Sequence, residues 1–333
     1  MTTPWLSVVI PTRNGERWFG SALQSLVDQE DKGFECIVID SSSSSATLDI
    51  AERFSQKLTI SAHRRPDLLS WQEKTNFGVS VARANHICML HVDDLWLPRR
   101  STAVRQWLQS NPDSVMHLHP SQIVDERGRV LGTWRCPLPI NGAAVSSDLL
   151  FERLLVQNFI AVPAPTIKRD AYLGAGGMEA ALWYTADWNL YLKLALSGPV
   201  HYHAEALTCF RVHGSSLTMS GSRNTSDFRD QMQEVLDRYA DRLRPQHRKA
   251  VLRAARASVN INAALASAKN GKPAALISAF ISIFGLGPTG MWRYFRDSRL
   301  IERVAPRLRA HFSGGLSTAR DSRSEAVKLA RES

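Results

Sequence analysis

A chain of 333 residues can hold one large domain or two ordinary ones, and 44% hydrophobic with 22% charged residues excludes a disordered polymer. Its four cysteines, Cys36, Cys88, Cys136 and Cys209, are widely spread with no CxxC pair, and Cys36 and Cys88 sit in apolar strand-like runs, so core packing in a reducing compartment reads better than metal binding. The net charge of +10 sits in one place: residues 230–333 carry 19 Lys+Arg against 9 Asp+Glu, leaving 22 of each sign in residues 1–229. That excludes an evenly basic surface and directs the search for an electrostatic partner to the C-terminal third.

"LSVVIP" (6–11) predicts a first strand, with no leader segment before it, so a cytoplasmic location is expected. Trp18, Phe19, Ala22, Leu23, Leu26 and Val27 line one side of the helix that follows. "ECIVID" (35–40) predicts a second strand, "TLDIAERF" (47–54) a second helix and "KLTISAH" (57–63) a third strand. A helix over residues 72–84 and a strand over "HICMLHV" (86–92) come next. Pro98 opens another helix, and "SVMHLHPSQIVDERGRVLGTW" reads as two strands about a turn at Gly128. Further on come a helix (147–157), the strand "APTIKR", a "GAGG" turn, the helix "ADWNLYLKLAL" and two short strands near His201 and Phe210. From about Ser226 the pattern is helical, and the tail after Ser313 is expected to be disordered.

Alternating strands and helices imply an α/β fold, a mostly parallel sheet flanked by helices, with ligands at the carboxyl ends of the strands. Those ends are Pro11-Thr12-Arg13-Asn14, Asp40-Ser41-Ser42, His63-Arg64-Arg65 and His91-Val92-Asp93-Asp94. Taken singly, each acidic residue has an ordinary explanation. Asp94 fits a helix N-cap, Asp40 a polar turn, and Asp187 a first-turn carboxylate favoured by the helix dipole. The pairs His117/His119 and His201/His203 each place two rings on one strand face. Flanked by apolar residues, they read as structural rather than zinc-binding.

In chain order, "VVIPTRNGERWFGSALQSLVDQ", "ECIVIDSSSSSATLDIA", "TNFGVSVARANHICMLHVDDLWLP" and "ALWYTADWNLYLKLALSGPVHYHAEALTCFRVHGSSLT" resemble the inverting family-2 glycosyltransferases of the GT-A fold. The resemblance covers roughly residues 5–220. It implies a nucleotide-sugar pocket at Pro11, Thr12 and Asn14, with Arg13 and Ser42 beside it, and a base contact at Asp40, usually to uracil. It further implies a donor-side Asn76, a metal ligand at Asp93, a catalytic base at Asp187, and Arg211 with His213 closing over the diphosphate, His213 also as a metal ligand. The chemistry agrees with these residue types. A departing diphosphate needs a divalent cation on hard ligands, and an inverting displacement needs one separate base. The family's Asp-Gly-Ser after Asp40 is here Ser41-Ser42-Ser43, and its Asp-x-Asp-Asp is here His91-Val92-Asp93-Asp94. His91 therefore either ligates the metal and favours Mn2+ over Mg2+, or contacts the nucleotide, or marks weakened catalysis.

Residues 1–225 are expected to form the catalytic domain, with a nucleotide half over about 1–110 and an acceptor half over about 111–225. Residues 226–312 follow as a basic helical region and 313–333 as a tail. Ala274 to Leu286 is an uncharged run of 13 residues, too short to span a bilayer. Arg293, Arg296, Arg299, Arg303 and Arg307 follow it, interleaved with Trp292, Phe295, Ile301, Val304 and Leu308. That pattern suits either an anionic membrane surface or packing on protein. The expected partners are a nucleotide-sugar donor, a cell-surface glycan or lipid-linked acceptor, and the inner face of the membrane. No nucleic-acid motif accompanies the arginines. A non-catalytic nucleotide-binding scaffold and a nucleotidyltransferase stand as rivals. The second is disfavoured by the single glycine in "PTRNGERW".

Overall fold

Strands without a polar face must be covered on both sides, and β1 (Ser7–Thr12) and β2 (Glu35–Asp40) are buried along their whole length. The computed structural model describes residues 3–214, 216 and 224–312. The chain divides into two compact units, one formed by Met1–Ser121 with Arg135–Phe210, the other by Gln122–Trp134 with Arg211–Ser333.

In the first unit β1 pairs in parallel with β2 and with β4 (His86–Met89), and β2 pairs in parallel with β3 (Thr59–Arg64). The crossovers are α1 (Glu16–Val27), α2 (Ala46–Phe54) and α3 (Trp71–Val81). Period-two alternation divides the two layers. Leu6, Val8, Ile10, Cys36 and Val38 meet Phe19, Ala22, Leu23 and Leu26 of α1, while Val9 and Ile39 receive α3 at Gly78. A Cβ at Gly78 would lie 2.5 Å from Val9 Cγ1 and 2.7 Å from Ile39 Cδ1, so glycine sets how closely α3 seats.

The sheet has seven strands in the order β10-β6-β9-β4-β1-β2-β3, where β6 is Met116–Leu118, β9 Thr166–Lys168 and β10 Val200–Tyr202. Here β9 runs antiparallel to both β4 and β6. The remaining helices are α4 (Arg100–Ser110), α5 (Ser147–Val156), α6 (Arg169–Gly174) and α7 (Ala186–Ala195). A two-residue β5 (Leu95–Trp96) pairs antiparallel with β11 (Thr208–Arg211).

Two boundaries differ from expectation for physical reasons. The fourth strand stops at Met89, not at residue 92. Leu90 N still donates to Val9 O (3.0 Å), but the chain then turns, Asp94 N donating to His91 O (3.1 Å). Continuing the strand would draw His91 and Asp93 into the sheet at a desolvation cost. The single strand expected before Gly128 is two, β6 and β7 (Ser121–Val124), divided at Pro120, which has no N–H to give a ladder.

In the second unit β7 and β8 (Val130–Trp134) are sheet neighbours. Asp125 closes their turn, Oδ1 accepting from the amides of Arg127 and Arg129 (both 2.9 Å) and Oδ2 from Arg129 Nε (2.7 Å). Gly128 there has φ +82. Helices Thr225–Tyr239, Pro245–Lys269, Ala275–Phe284, Gly287–Ser298 and Leu300–Phe312 follow. The last lies on β8, Pro306 against Gly132 and Arg309 Nη1 donating to Leu131 O (2.7 Å). Helix thus begins at Thr225, near the expected 226, while the compact unit begins at Arg211 and includes the 122–134 hairpin. The tail 313–333 lies outside the described residues.

Gly78→Ala should lower stability by about 1–3 kcal/mol through overpacking. Urea denaturation should show a lower midpoint at unchanged slope, and an unchanged midpoint would contradict the close seating of α3.

Candidate functional site

Parallel register brings the polar strand ends into one row: Thr12 pairs with Asp40, and Asp40 with Arg64. Asp40 is fully buried. Its Oδ1 accepts from Ser42 Oγ (2.6 Å) and Ser42 N (3.2 Å), while its Oδ2 is buried with no hydrogen-bond partner. Ser42 Oγ in turn accepts from Asn14 N at 2.7 Å. Asn14 sits in the left-handed region at φ +50, a conformation asparagine tolerates better than most residues. Gly15 follows because a Cβ there would lie 2.8 Å from Thr12 Oγ1. Ser42 thus ties the end of β2 to the β1–α1 turn. Thr12 Oγ1 is likewise buried and unpartnered. Pro11 is buried, and Arg13 and Asn14 are exposed at the rim.

Lys74 is a functional candidate that the strand-end pattern did not mark. It is 3% exposed, and its Nζ donates to Thr12 O (3.0 Å) and Ser41 Oγ (2.8 Å). Burial, assisted by Arg13 and opposed by Asp40 and Glu73, lowers its pKa to about 8. A cue existed: Lys74 is one helical turn before Gly78, on the side that faces the sheet.

After β4, the turn gathers His91, Asp93 and Asp94, whose ligand atoms all lie within 4.8 Å of one another. Among the described residues this is the one group of three or more side chains able to hold a metal ion. His91 Nε2 is buried without a hydrogen-bond partner, and Trp71 meets the imidazole edge-on at 5.4 Å between ring centres. Burial lowers the His91 pKa, with Asp93 opposing and Lys74 assisting. The ring is therefore neutral and able to donate a lone pair. One imidazole nitrogen and two carboxylates, beside an imidazole whose Nε2 has no hydrogen-bond partner, fit a divalent cation such as Mn2+.

Asp187 lies in the first turn of α7 and is 8% exposed. Oδ1 accepts from Trp188 N (2.8 Å) and Oδ2 from Asn158 Nδ2 (3.0 Å). Burial pushes its pKa up to about 6 despite these hydrogen bonds. Asn158, the orienting partner, is a second residue that sequence reasoning did not find; no motif surrounds it. The segment leading into α7 is tied to α3: Gln72 Nε2 donates to Leu182 O (2.8 Å) and Trp71 Nε1 to Trp183 O (3.3 Å). One helix therefore carries Lys74, the Trp71 that meets His91, and the anchors of the loop before Asp187.

Other expected residues are committed elsewhere. Asn76 Oδ1 accepts from Tyr172 OH (2.6 Å) and Met178 N (3.0 Å), and its Nδ2 donates to Met178 O (2.7 Å), so its amide holds the Gly177–Met178 turn. Arg211 and His213 are buried in the second unit, where Arg211 Nη1 donates to Asp125 O (2.9 Å) and Glu126 O (3.2 Å). Of "FRVHGSSLT", residues 215 and 217–218 lie outside the described residues. The two His-x-His pairs form an aromatic stack: Trp107 lies flat on His203 (centroids 3.6 Å apart), and His117 Nδ1 is 3.1 Å from His203 Nε2. Burial takes the pKa of His117 and of His119 to about 3, so these rings are neutral packing elements.

Residues 7–151 match the model of the family described as glycosyl transferase family 2. An uncharacterized glycosyltransferase of Haemophilus influenzae is 27% identical over 192 residues, covering 57% of this chain and 61% of the relative's own length. A second, from Rickettsia typhi, is 22% identical over 230 residues, 68% of this chain and 70% of the relative. Among solved structures, S. aureus TarS 1-349 in complex with UDP-GlcNAc aligns with a TM-score of 0.55 at 15% identity, covering 87% of this chain and 89% of that one. The mannosyltransferase PcManGT from Pyrobaculum calidifontis, in complex with GDP-Man and Mn2+, aligns at 0.54 with 17% identity, covering 91% and 88%. The fold is GT-A, with C-terminal helices added.

The raised pKa of Asp187 has a stability consequence. The native state holds this proton more tightly than the unfolded chain, whose aspartates titrate near 3.9. Stability therefore falls as pH rises from about 4 to 6, by about 3 kcal/mol in all, and stays lowered above that. The stability difference, wild type minus Asp187→Asn, should drop by about that amount between pH 4 and 7 in urea denaturation. A difference independent of pH would contradict the burial of an ionisable Asp187.

Proposed function

We propose, for a chain whose residues 7–151 match the model of glycosyl transferase family 2, that it is an inverting, hexosyl-type transferase of that family, moving a sugar from a nucleotide-diphosphate donor, a UDP-sugar, to a hydroxyl acceptor. The acceptor is a cell-surface glycan or a lipid-linked precursor, met at the cytoplasmic face of the membrane. The observation that carries the reading is the pairing, on one strand-end row, of a buried unpartnered Asp40 oxygen with the cation-competent His91, Asp93 and Asp94 group. Solved structures of the same fold are in complex with UDP-GlcNAc, or with GDP-Man and Mn2+, which supports a nucleotide-sugar donor.

In this reading Asp40 accepts from the nucleobase, and the Thr12–Asn14 turn, with Ser42 behind it, borders the nucleoside. Arg13 and Lys74 supply positive charge beside the diphosphate, and Asn76 acts at one remove by holding the Met178 turn. His91, Asp93 and Asp94 would hold a divalent cation. Once bound, that cation neutralises charge on the leaving diphosphate. The proton of the acceptor hydroxyl passes to the Asp187 carboxylate, which Asn158 and the Trp188 amide orient. The acceptor oxygen forms its bond to the anomeric carbon as the bond from that carbon to the phosphate oxygen breaks, and the nucleoside diphosphate departs. A pKa of about 6 leaves Asp187 ionised at neutral pH yet more basic than a surface aspartate, as a general base requires.

A panel of nucleotide sugars scored for nucleoside diphosphate release identifies the donor. Asp187→Asn should lower kcat by roughly 10²–10⁴-fold while leaving KM for the donor little changed. Full activity in Asp187→Asn would overturn the base assignment. The absence of release from any sugar would favour a binding scaffold.

A further inference from the structure

The second unit exposes large apolar side chains at helical spacing. On the Ala275–Phe284 helix Ile277, Phe280, Ile281 and Phe284 recur at i, i+3, i+4 and i+7, with exposures of 62%, 59%, 68% and 69%. The helix packs its other side on Pro245–Lys269 and buries Ala279. On Gly287–Ser298, Trp292 is 65% exposed, with the Arg296 guanidinium 4.7 Å from its ring centre. A stripe of this kind is larger than the scattered apolar exposure of an ordinary surface and marks a docking face.

The charges around it indicate what docks. Residues 242–296 contain 10 Lys or Arg and not one Asp or Glu. Lys269 and Lys272 stand exposed just before the apolar helix, and Arg293 beside Trp292. Arg248 and Arg296 pair with the flanking Asp241 and Asp297, and the remaining cations give this face a net positive charge, so like-charge repulsion disfavours self-association through it. An anionic bilayer answers both features, taking apolar side chains at the acyl boundary, tryptophan at the headgroup level and cations against lipid phosphates. Ten residues of helix reach about 15 Å, half of a hydrocarbon core of about 30 Å. The Ala275–Phe284 and Gly287–Ser298 helices bend by 113° at their junction, and among the described residues no single helix is long and apolar enough to cross a membrane. The arrangement suits a helix lying in the interface.

We propose that Ile277, Phe280, Ile281, Phe284 and Trp292, rimmed by Lys272 and Arg293, form a monotopic docking surface for an anionic lipid bilayer. The proposal deepens the membrane-side placement above and rests on that reading for its biological sense. Its test needs no donor, acceptor or metal, so failure of the transfer chemistry and failure of docking are read separately.

The full chain is floated with vesicles of phosphatidylcholine alone and of phosphatidylcholine with one-third phosphatidylglycerol. Recovery with the anionic vesicles should exceed that with neutral ones by about tenfold or more and fall in high salt. The double variant Phe280→Ser, Phe284→Ser, altered only at exposed positions, should lose most of this recovery with an unchanged circular dichroism spectrum. Equal recovery with both vesicles, or none with either, would overturn the proposal. So would a wild-type dimer in light scattering that this variant converts to monomer, since the face would then belong to a second copy.

Discussion

The parallel pairing of Thr12 with Asp40 is the constraint on which the site depends. Strands β1 and β2 are buried on both faces, so neither can carry a charge along its length without a large desolvation cost. Polar chemistry collects where the strands end, and parallel register puts those ends side by side. Asp40 is fully buried with one oxygen satisfied by the Ser42 hydroxyl and amide, while the other has no hydrogen-bond partner. Ser42 therefore joins the end of β2 to the Asn14 turn through its hydroxyl.

Charge is distributed by burial as much as by residue type. Lys74, sunk behind Thr12 and Ser41, offers a weakened cation between Asp40 and His91, with a pKa of about 8. His91 is held neutral by burial, so it presents a lone pair beside two carboxylates. Asp187 is raised by the same force that lowers Lys74, desolvation. All three depend on α3, which seats on the sheet through Gly78 and ties down the loop before Asp187 through Gln72 and Trp71.

Most of this was legible in the sequence because the signals are local. Strands β1 to β3 and helices α1 to α3 follow from apolar periodicity, and the strand-end motifs fall in order along the chain. What escaped was non-local. Asn158 reaches Asp187 across 29 positions, and no spacing rule anticipates such a contact. Lys74 looks like any helix lysine until Gly78 shows which side of α3 faces inward. The end of β4 at Met89 was obscured because Leu90 continues the apolar run while the polar side chains beyond it pull the chain into a turn. The engagement of Asn76 with Met178 likewise depends on a partner 102 residues away.

The account stands or falls on whether the strand-end row binds a nucleotide diphosphate together with a cation. Calorimetric titration of UDP into the wild type and into Asp93→Ala, each with Mn2+ and with chelator, measures this directly. The account predicts binding by the wild type that is tight with Mn2+ and weak with chelator, and binding by Asp93→Ala that is weak in both. Equal UDP affinity in all four titrations would contradict it.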